Sequence, residues 1–169
     1  MSPILSNAAK VLFALLLLAP MPALAKTFPI PADDPIATIS LPEKWEPEPY
    51  EEGVEATSPD GSVYVAIEMV RANDVGSTAE EGVKFFAKQG VEIDEKSLKT
   101  QDIKINGLPA FDMTMDGTDK NGPTEVGMTL VGTNAEGKFL MIYYWGSEEG
   151  QKANLPDLKT IADSLQATK

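Results

Sequence analysis

Residues 139–145 (FLMIYYW) are apolar at every position. A strand with one face in water alternates apolar and polar side chains, whereas a continuous apolar run is typical of a strand that is buried on both faces. We therefore predict a strand near the centre of a β-sheet, with helices or an arm of the chain covering each face of that sheet. This requirement restricts the chain to layered folds with at least one sheet.

Six other segments have the alternating or β-branched pattern of strands, at 36–41, 54–57, 63–70, 98–106, 110–116 and 126–130. Turn sequences separate them, and Asn106-Gly107 is the strongest signal for a two-residue hairpin. Two segments have helical spacing: about 12 residues that end before Gly90, and a C-terminal segment in which Pro156 suits a first turn. The order predicts one α+β domain, with an antiparallel β-sheet of about six to seven strands flanked by helices.

The first 25 residues have the pattern of a secretory signal peptide. Lys10 is their one charged residue, a nine-residue apolar run follows at 11–19, and Ala23-Leu24-Ala25 supplies small residues for cleavage before Lys26. That run is less than half of the about 20 apolar residues that a membrane-spanning helix needs. We predict a periplasmic protein, with secretion or a thylakoid lumen as alternatives and no membrane anchor after cleavage. Residues 26–35 are then an extended N-terminal arm, and residues 36–169 are the single domain.

The sequence contains no cysteine and no histidine. Disulfides, Cys/His zinc sites, a Ser-His-Asp triad and a cysteine nucleophile are therefore excluded, and no serine lies in a G-x-S-x-G motif. Beyond residue 25 the chain has 13 basic and 26 acidic side chains, a net charge of −13. This charge opposes binding to nucleic acids and to anionic membranes. We expect no enzyme activity, no catalytic residue and no cofactor.

An acidic segment at 43–55 interleaves carboxylates with two aromatic residues. One interpretation is a docking loop for a basic partner, in which the aromatic side chains are anchors. The other is a solvated loop, stiffened by proline, whose tryptophan packs under the sheet. The candidate partner-contact residues are Trp45, Glu46, Glu48, Tyr50, Glu51 and Glu52.

Two groups of side chains were considered as metal sites. Asp112, Asp116, Asp119 and Asn121 resemble part of a calcium loop, but the positions that begin and end an EF-hand loop are occupied by Gly117 and Met128. Five methionines could bind Cu(I), yet all five lie on predicted apolar strand faces, where methionine is ordinary core filler: Met69, Met113, Met115, Met128 and Met141. We predict no metal-binding residue from either group.

Two short motifs resemble those of the PsbP-like superfamily, which includes the extrinsic photosystem II subunit, a yeast Ran-binding factor and DcrB-like periplasmic proteins. Residues 39–45 (ISLPEKW) are similar to its opening strand, proline and tryptophan, and residues 161–165 (IADSL) are similar to its closing helix. The resemblance covers nearly all of residues 36–166. It implies a PsbP-like αβα sandwich, in which an antiparallel sheet lies between helices, and members that mostly bind other proteins and share no catalytic residues.

Together these observations predict an exported, soluble, non-catalytic binding or chaperone-like module that acts through protein–protein contacts. Its expected partner is a protein of the cell envelope, and the module itself is expected to be a monomer or a weak oligomer. The alternative function is that of a periplasmic protein that binds a small ligand or a metal ion, using a cavity between the sheet and a helix.

Overall fold

The computed structural model describes residues 24–168, so all but the last two residues of the predicted signal peptide lie outside the described part. The two helices are α1 (Val75–Lys88) and α2 (Glu148–Ser164). The strands are β1 (Ala25–Ile30), β2 (Ala37–Pro42), β3 (Glu48–Pro49), β4 (Gly53–Thr57), β5 (Val63–Arg71), β6 (Glu92–Ile93), β7 (Lys99–Ile105), β8 (Leu108–Asp119), β9 (Gly122–Gly132), β10 (Lys138–Gly146) and β11 (Gln166–Ala167).

The main sheet has eight strands, in the order β3-β4-β5-β10-β9-β8, with β6 and β7 both paired to the outer edge of β8. All pairs are antiparallel, and β10 lies between β5 and β9, with Ile142 opposite both Ile67 and Thr129. The apolar run is thus the central strand, as predicted. The Asn106-Gly107 turn joins β7 to β8 with both residues at positive φ, 46° and 86°, which is the backbone of a type I′ hairpin.

The central strands of the main sheet are covered on both faces. On one face, Phe86 of α1 packs with Met128, Met141 and Tyr143. On the other face, β1, β2 and α2 cover a second core that includes Ile67 and Leu140 of the sheet, Ile39 and Leu41 of β2, and Ile161 of α2. The prediction of an antiparallel α+β fold, with a sheet covered on both sides, is therefore confirmed.

The strand count of the main sheet exceeds the predicted six to seven because β3 and β6 are two residues long, too short for a periodic pattern to show. Residues 26–35, predicted to be an extended arm, include all of β1 except Ala25; β1 pairs with β2 along six residues and buries Phe28 and Ile30. Together with β11 these strands form a small second sheet in the order β1-β2-β11. Pro29 is compatible with β1 because this strand lies at the edge, where one side needs no hydrogen bonds.

The C-terminal helix begins earlier than the proline indicates. Ser147 is its N-cap and accepts a hydrogen bond from the Gly150 N–H at 3.0 Å, so Pro156 lies inside α2 and the predicted first turn at this proline was wrong. Leu155, which precedes this proline, is 60% exposed. Neither helix within residues 24–168 combines the length and the apolar character needed to cross a bilayer.

Candidate functional site

The acidic segment forms one edge of the main sheet. A short 3-10 turn, Glu43–Trp45, is followed by Glu46 in a left-handed conformation (φ 50°) and then by β3, the last strand at this edge. The chain reverses through residues 50–53, where the Tyr50 N–H donates to the Gly53 carbonyl at 2.9 Å. This hairpin holds the candidate contact residues on a short, ordered ribbon.

Trp45 differs from the other candidates because it is only 1% exposed and belongs to the core beneath the main sheet. Its indole N–H donates to Asp157 of α2 at 3.0 Å, and the Lys44 ammonium lies 2.7 Å from the same carboxylate oxygen. The structure therefore places Trp45 under the sheet, as in the second interpretation of this segment, and it is not accessible to a partner. Glu46, Glu48, Tyr50 and Glu51 are exposed, and Glu52 is half-buried.

An open groove of about 480 Å³ lies between this segment and the β4–β5 turn; we call it the acidic groove. Three carboxylates line it, those of Glu46, Glu48 and Glu55, and Tyr64 forms part of its floor. Lys44 is the one basic residue in the lining, and its ammonium is paired with Asp157. The groove is therefore strongly negative, and Glu51 and Glu52 lie at the hairpin tip outside it.

A smaller pocket of about 190 Å³ adjoins the acidic groove and shares Glu55 and Tyr64 with it; we call it the tyrosine pocket. It lies between the main sheet and α1. Its lining residues are Tyr50, Glu55, Tyr64, Ala66, Glu68, Glu81, Gly82, Phe85 and Tyr143.

The tyrosines of this pocket donate to its carboxylates. Glu68 accepts the hydroxyl of Tyr143 at 2.8 Å on one oxygen and that of Tyr50 at 3.1 Å on the other. Tyr64 donates to Glu55 at 2.5 Å. Burial, and secondly the neighbouring carboxylates, raise the pKa of each of the three hydroxyls well above its ordinary value. The hydroxyls therefore stay protonated donors at neutral pH and do not offset the negative charge of the carboxylates.

Of the candidate contact residues, the structure brings Glu46 and Glu48 into the acidic groove and Tyr50 into the tyrosine pocket. Sequence reasoning missed Glu68, Glu81 and Tyr143, which come from β5, α1 and β10. One signal was present: Glu68 is the single charged residue in the otherwise buried run 63–70. A carboxylate in a buried strand requires hydrogen-bond partners.

The carboxylates of the candidate calcium loop do not converge on a metal site. Asp112 is buried and accepts hydrogen bonds from Thr129 at 2.6 Å and from Gln101 at 3.1 Å, whereas Asp119 accepts from the Asn121 N–H within its own turn at 2.7 Å. Across residues 24–168 no group of three or more acidic side chains is arranged to hold a metal ion. Of the five methionines, Met69 lies in the core on the α2 side of the sheet, whereas Met113, Met115, Met128 and Met141 pack in the core on the α1 side.

An apolar pocket of about 170 Å³ lies between α2 and the main sheet. Ile67, Ile142 and Leu158 are among its walls, and the side chains with polar groups that line it are those of Thr129 and Tyr144. Its volume is below the roughly 300–1,000 Å³ of typical small-molecule sites.

Solved structures of low sequence identity share this fold. A crystal structure from Bacteroides thetaiotaomicron matches with a TM-score of 0.54 and 15% identity over 85% of this chain, and the chain spans about half (48%) of that one. The solution structure of the cyanobacterial PsbP protein CyanoP, from Synechocystis, gives a TM-score of 0.52 and 13% identity, covering 97% of this chain and 99% of CyanoP.

A third match is the crystal structure of LpqN, which is involved in cell envelope biogenesis of Mycobacterium tuberculosis. Its TM-score is 0.51 at 11% identity, and the match covers 86% of this chain and 92% of LpqN. No protein-family model and no curated protein matches the sequence. Because the chain and CyanoP superpose over nearly their whole lengths, the chain has the PsbP-like fold that the sequence resemblance implied.

Proposed function

We propose that this chain is an exported, non-catalytic binding module that holds a positively charged segment of a protein partner in the acidic groove. The observation that carries the proposal is the charge of the groove: three carboxylates face it, and its one lysine is already paired with Asp157. Such a surface attracts a basic segment from a distance and selects against acidic ones.

The location of the groove supports a protein partner. It lies beside β3, an edge strand whose outer side is not hydrogen-bonded to another strand of the main sheet. The groove is open, so an extended segment of a partner can lie in it while its basic side chains reach the carboxylates. The signal-peptide pattern of residues 1–25 supports a partner in the cell envelope.

One place for the alternative function, binding of a small ligand, is the apolar pocket under α2. The acidic groove is the stronger candidate because it is larger, open to solvent and lined by charged groups whose pairing is incomplete, whereas the apolar pocket is small and almost without polar groups. Binding energy and specificity in a ligand site usually need a few converging polar groups.

The test is the binding of a fluorescein-labelled hexalysine peptide, measured by fluorescence anisotropy at low and at high salt. Glu46→Gln/Glu48→Gln removes two groove charges, and at about 0.2–1 kcal/mol per exposed charge pair it weakens binding by roughly 2- to 30-fold. The matched control is Glu92→Gln/Glu95→Gln, which makes the same change in net charge at the opposite edge of the sheet, where both residues are exposed.

The control variant is expected to bind hexalysine nearly as well as the wild-type protein. Equal weakening by both pairs of substitutions would show that the peptide responds to the overall charge of the protein, and the proposal would then be wrong.

A further inference from the structure

The tyrosine pocket combines a cavity, aromatic walls and carboxylates that have no basic partner within residues 24–168, a combination that packing of the core does not require. It is a cavity with three tyrosine rings and Phe85 in its walls, and its carboxylates come from three separate elements: Glu55 from β4, Glu68 from β5 and Glu81 from α1. None of its nine lining residues is lysine or arginine.

The charge of these carboxylates is not balanced within the described part of the chain. No lysine or arginine nitrogen of residues 24–168 lies within 4.0 Å of Glu55, Glu68 or Glu81. The hydrogen bonds to Glu68 and Glu55 come from neutral tyrosine hydroxyls, and Glu81 accepts none within the same residues. A carboxylate can accept up to about four hydrogen bonds, so each of the three retains acceptor capacity toward the cavity.

The chemistry of the walls selects a cation with an apolar stem. Tyrosine and phenylalanine rings attract cations through their negative faces, and the rings and Ala66 offer apolar contact to methylene groups. A primary ammonium is a compact charge with three donors, so it can pair with whichever carboxylates of the pocket wall lie nearest to it. A guanidinium instead presents its donors in one plane and prefers one carboxylate in a two-point contact.

The volume restricts the size of the ligand. At about 190 Å³ the tyrosine pocket is smaller than the roughly 300–1,000 Å³ of sites for whole small molecules. It therefore accommodates one side chain or one short alkyl group. Because the pocket shares Glu55 and Tyr64 with the acidic groove, a side chain of a segment lying in the groove can enter it directly.

We propose that the tyrosine pocket is a binding site for a primary alkylammonium group, in which the rings of Tyr50, Tyr64 and Tyr143 contact the alkyl chain and the carboxylates of Glu55, Glu68 and Glu81 balance the charge. Which molecule carries this ammonium group rests on the proposed function: in the partner complex the group is a lysine side chain of the basic segment. A free alkylamine carries the same chemistry and is the other source.

The experiment titrates the purified protein with n-butylammonium, with n-butylguanidinium and with uncharged n-butanol, and follows the backbone amides of residues 81–86 by NMR. Saturable binding is expected for n-butylammonium, weaker binding for n-butylguanidinium and none for n-butanol. Absence of saturable n-butylammonium binding, or equal binding of n-butanol, would overturn the assignment.

Two substitutions locate the site. Glu68→Gln and Glu81→Gln each remove one charged acceptor: the change at the half-buried Glu68 is expected to weaken n-butylammonium binding by about tenfold, the effect of losing one charge-assisted hydrogen bond, and the change at the exposed Glu81 by about 2- to 5-fold. Glu81→Gln keeps the test valid if Glu68→Gln disturbs folding, since the Glu81 side chain is exposed on α1 and takes part in none of the hydrogen bonds of residues 24–168. Unchanged affinity in both variants would contradict the proposal.

The Glu46→Gln/Glu48→Gln variant separates this proposal from the function of the groove. It is expected to bind n-butylammonium as the wild-type protein does and to bind hexalysine less well. If hexalysine is unaffected while Glu81→Gln still weakens n-butylammonium, the groove proposal fails and the pocket is a site for free alkylamines. If hexalysine depends on the groove but n-butylammonium does not bind, the pocket proposal alone fails.

Discussion

One carboxylate of α2 connects the buried tryptophan to the surface. The same oxygen of Asp157 accepts the indole N–H of Trp45 and lies near the ammonium of Lys44. The two interactions differ in their surroundings, because Trp45 is buried whereas the Lys44 side chain is 54% exposed. A buried donor without an acceptor costs about 1–3 kcal/mol, whereas an exposed ion pair contributes about 0–1 kcal/mol.

We therefore expect Asp157→Ala to lower the free energy of unfolding by about 2 kcal/mol, because it leaves the buried indole N–H of Trp45 without an acceptor. Lys44→Gln is the matched control, since it removes only the ion pair and should cost less than about 1 kcal/mol. Urea unfolding at neutral pH, followed by tryptophan fluorescence, measures both values. A larger loss for Lys44→Gln than for Asp157→Ala would mean that the ion pair, and not the indole hydrogen bond, fixes this contact.

The position of α1 on the sheet depends on a glycine. Gly82 is buried, and a Cβ atom built on it would lie 2.7 Å from a ring carbon of Tyr143 and 2.9 Å from the Met128 sulfur. The absence of a side chain lets the helix approach the sheet closely enough for Glu81 to reach the tyrosine pocket. Gly76, in the first turn of the same helix, has nothing within 4 Å of its Cβ position.

Gly82→Ala and Gly76→Ala are therefore expected to change stability in opposite directions. Alanine is favoured over glycine within helices by about 1 kcal/mol, but at position 82 the added methyl group overpacks the contact with Tyr143, at a typical cost of about 1–3 kcal/mol. We predict a net loss of about 1 kcal/mol for Gly82→Ala and a small gain for Gly76→Ala, measured by urea unfolding. Stabilisation by Gly82→Ala would show that α1 can move away from the sheet without cost.

The elements that the sequence predicts well are those with a long local pattern. β5, β8, β9 and β10 have 9 to 12 residues each, and their alternation or continuous apolar character identified them. The start of α2 was predicted at the proline because Pro156 suits a first turn, whereas Ser147 caps the helix two turns earlier. The strands β3, β6 and β11 have two residues each and are defined by their hydrogen bonds to neighbouring strands. Their own sequences are too short to show a strand pattern.

On the scale of the whole molecule, the site is assembled from distant parts of the chain. The acidic segment was recognised from its composition, and Glu46, Glu48 and Tyr50 do line the two pockets. Tyr143 and Glu68 are 75 residues apart, and they meet because β5 and β10 are neighbours in the sheet. Strand order is a property of the complete fold, so the tyrosine pocket could not be predicted from the sequence of any one segment.

The small sheet ties the beginning of the described chain to the core. A chain that starts at Lys26, the predicted cleavage product, loses the hydrogen bond from the Glu43 N–H to the Leu24 carbonyl but keeps Phe28 and Ile30 buried. A chain that starts at Ala32 lacks β1 and therefore both of these buried side chains, Phe28 and Ile30. We expect the first chain to fold, and the second to be at least roughly 4 kcal/mol less stable, since each large apolar core side chain contributes about 2–5 kcal/mol.

Urea unfolding of the two purified chains measures this difference, and mass spectrometry of the protein isolated after expression of the full chain identifies its first residue. A folded exported protein that begins after Ile30 would contradict both the cleavage prediction and the role of β1 in stability.

The geometry of the small sheet also has a mechanical consequence. β1 and β11 are both antiparallel to β2, so the chain enters this sheet opposite Pro42 and leaves it opposite Ala37, at the other end of β2. A force that stretches the molecule between its two ends therefore slides β1 along β2 in shear. The residue pairs of the two strands share such a load, whereas a peeling force would break them one after another. We therefore expect the small sheet, through the six residue pairs of β1 and β2, to resist extension of the chain. The domain should then withstand a force applied at both ends better than a force applied perpendicular to these strands.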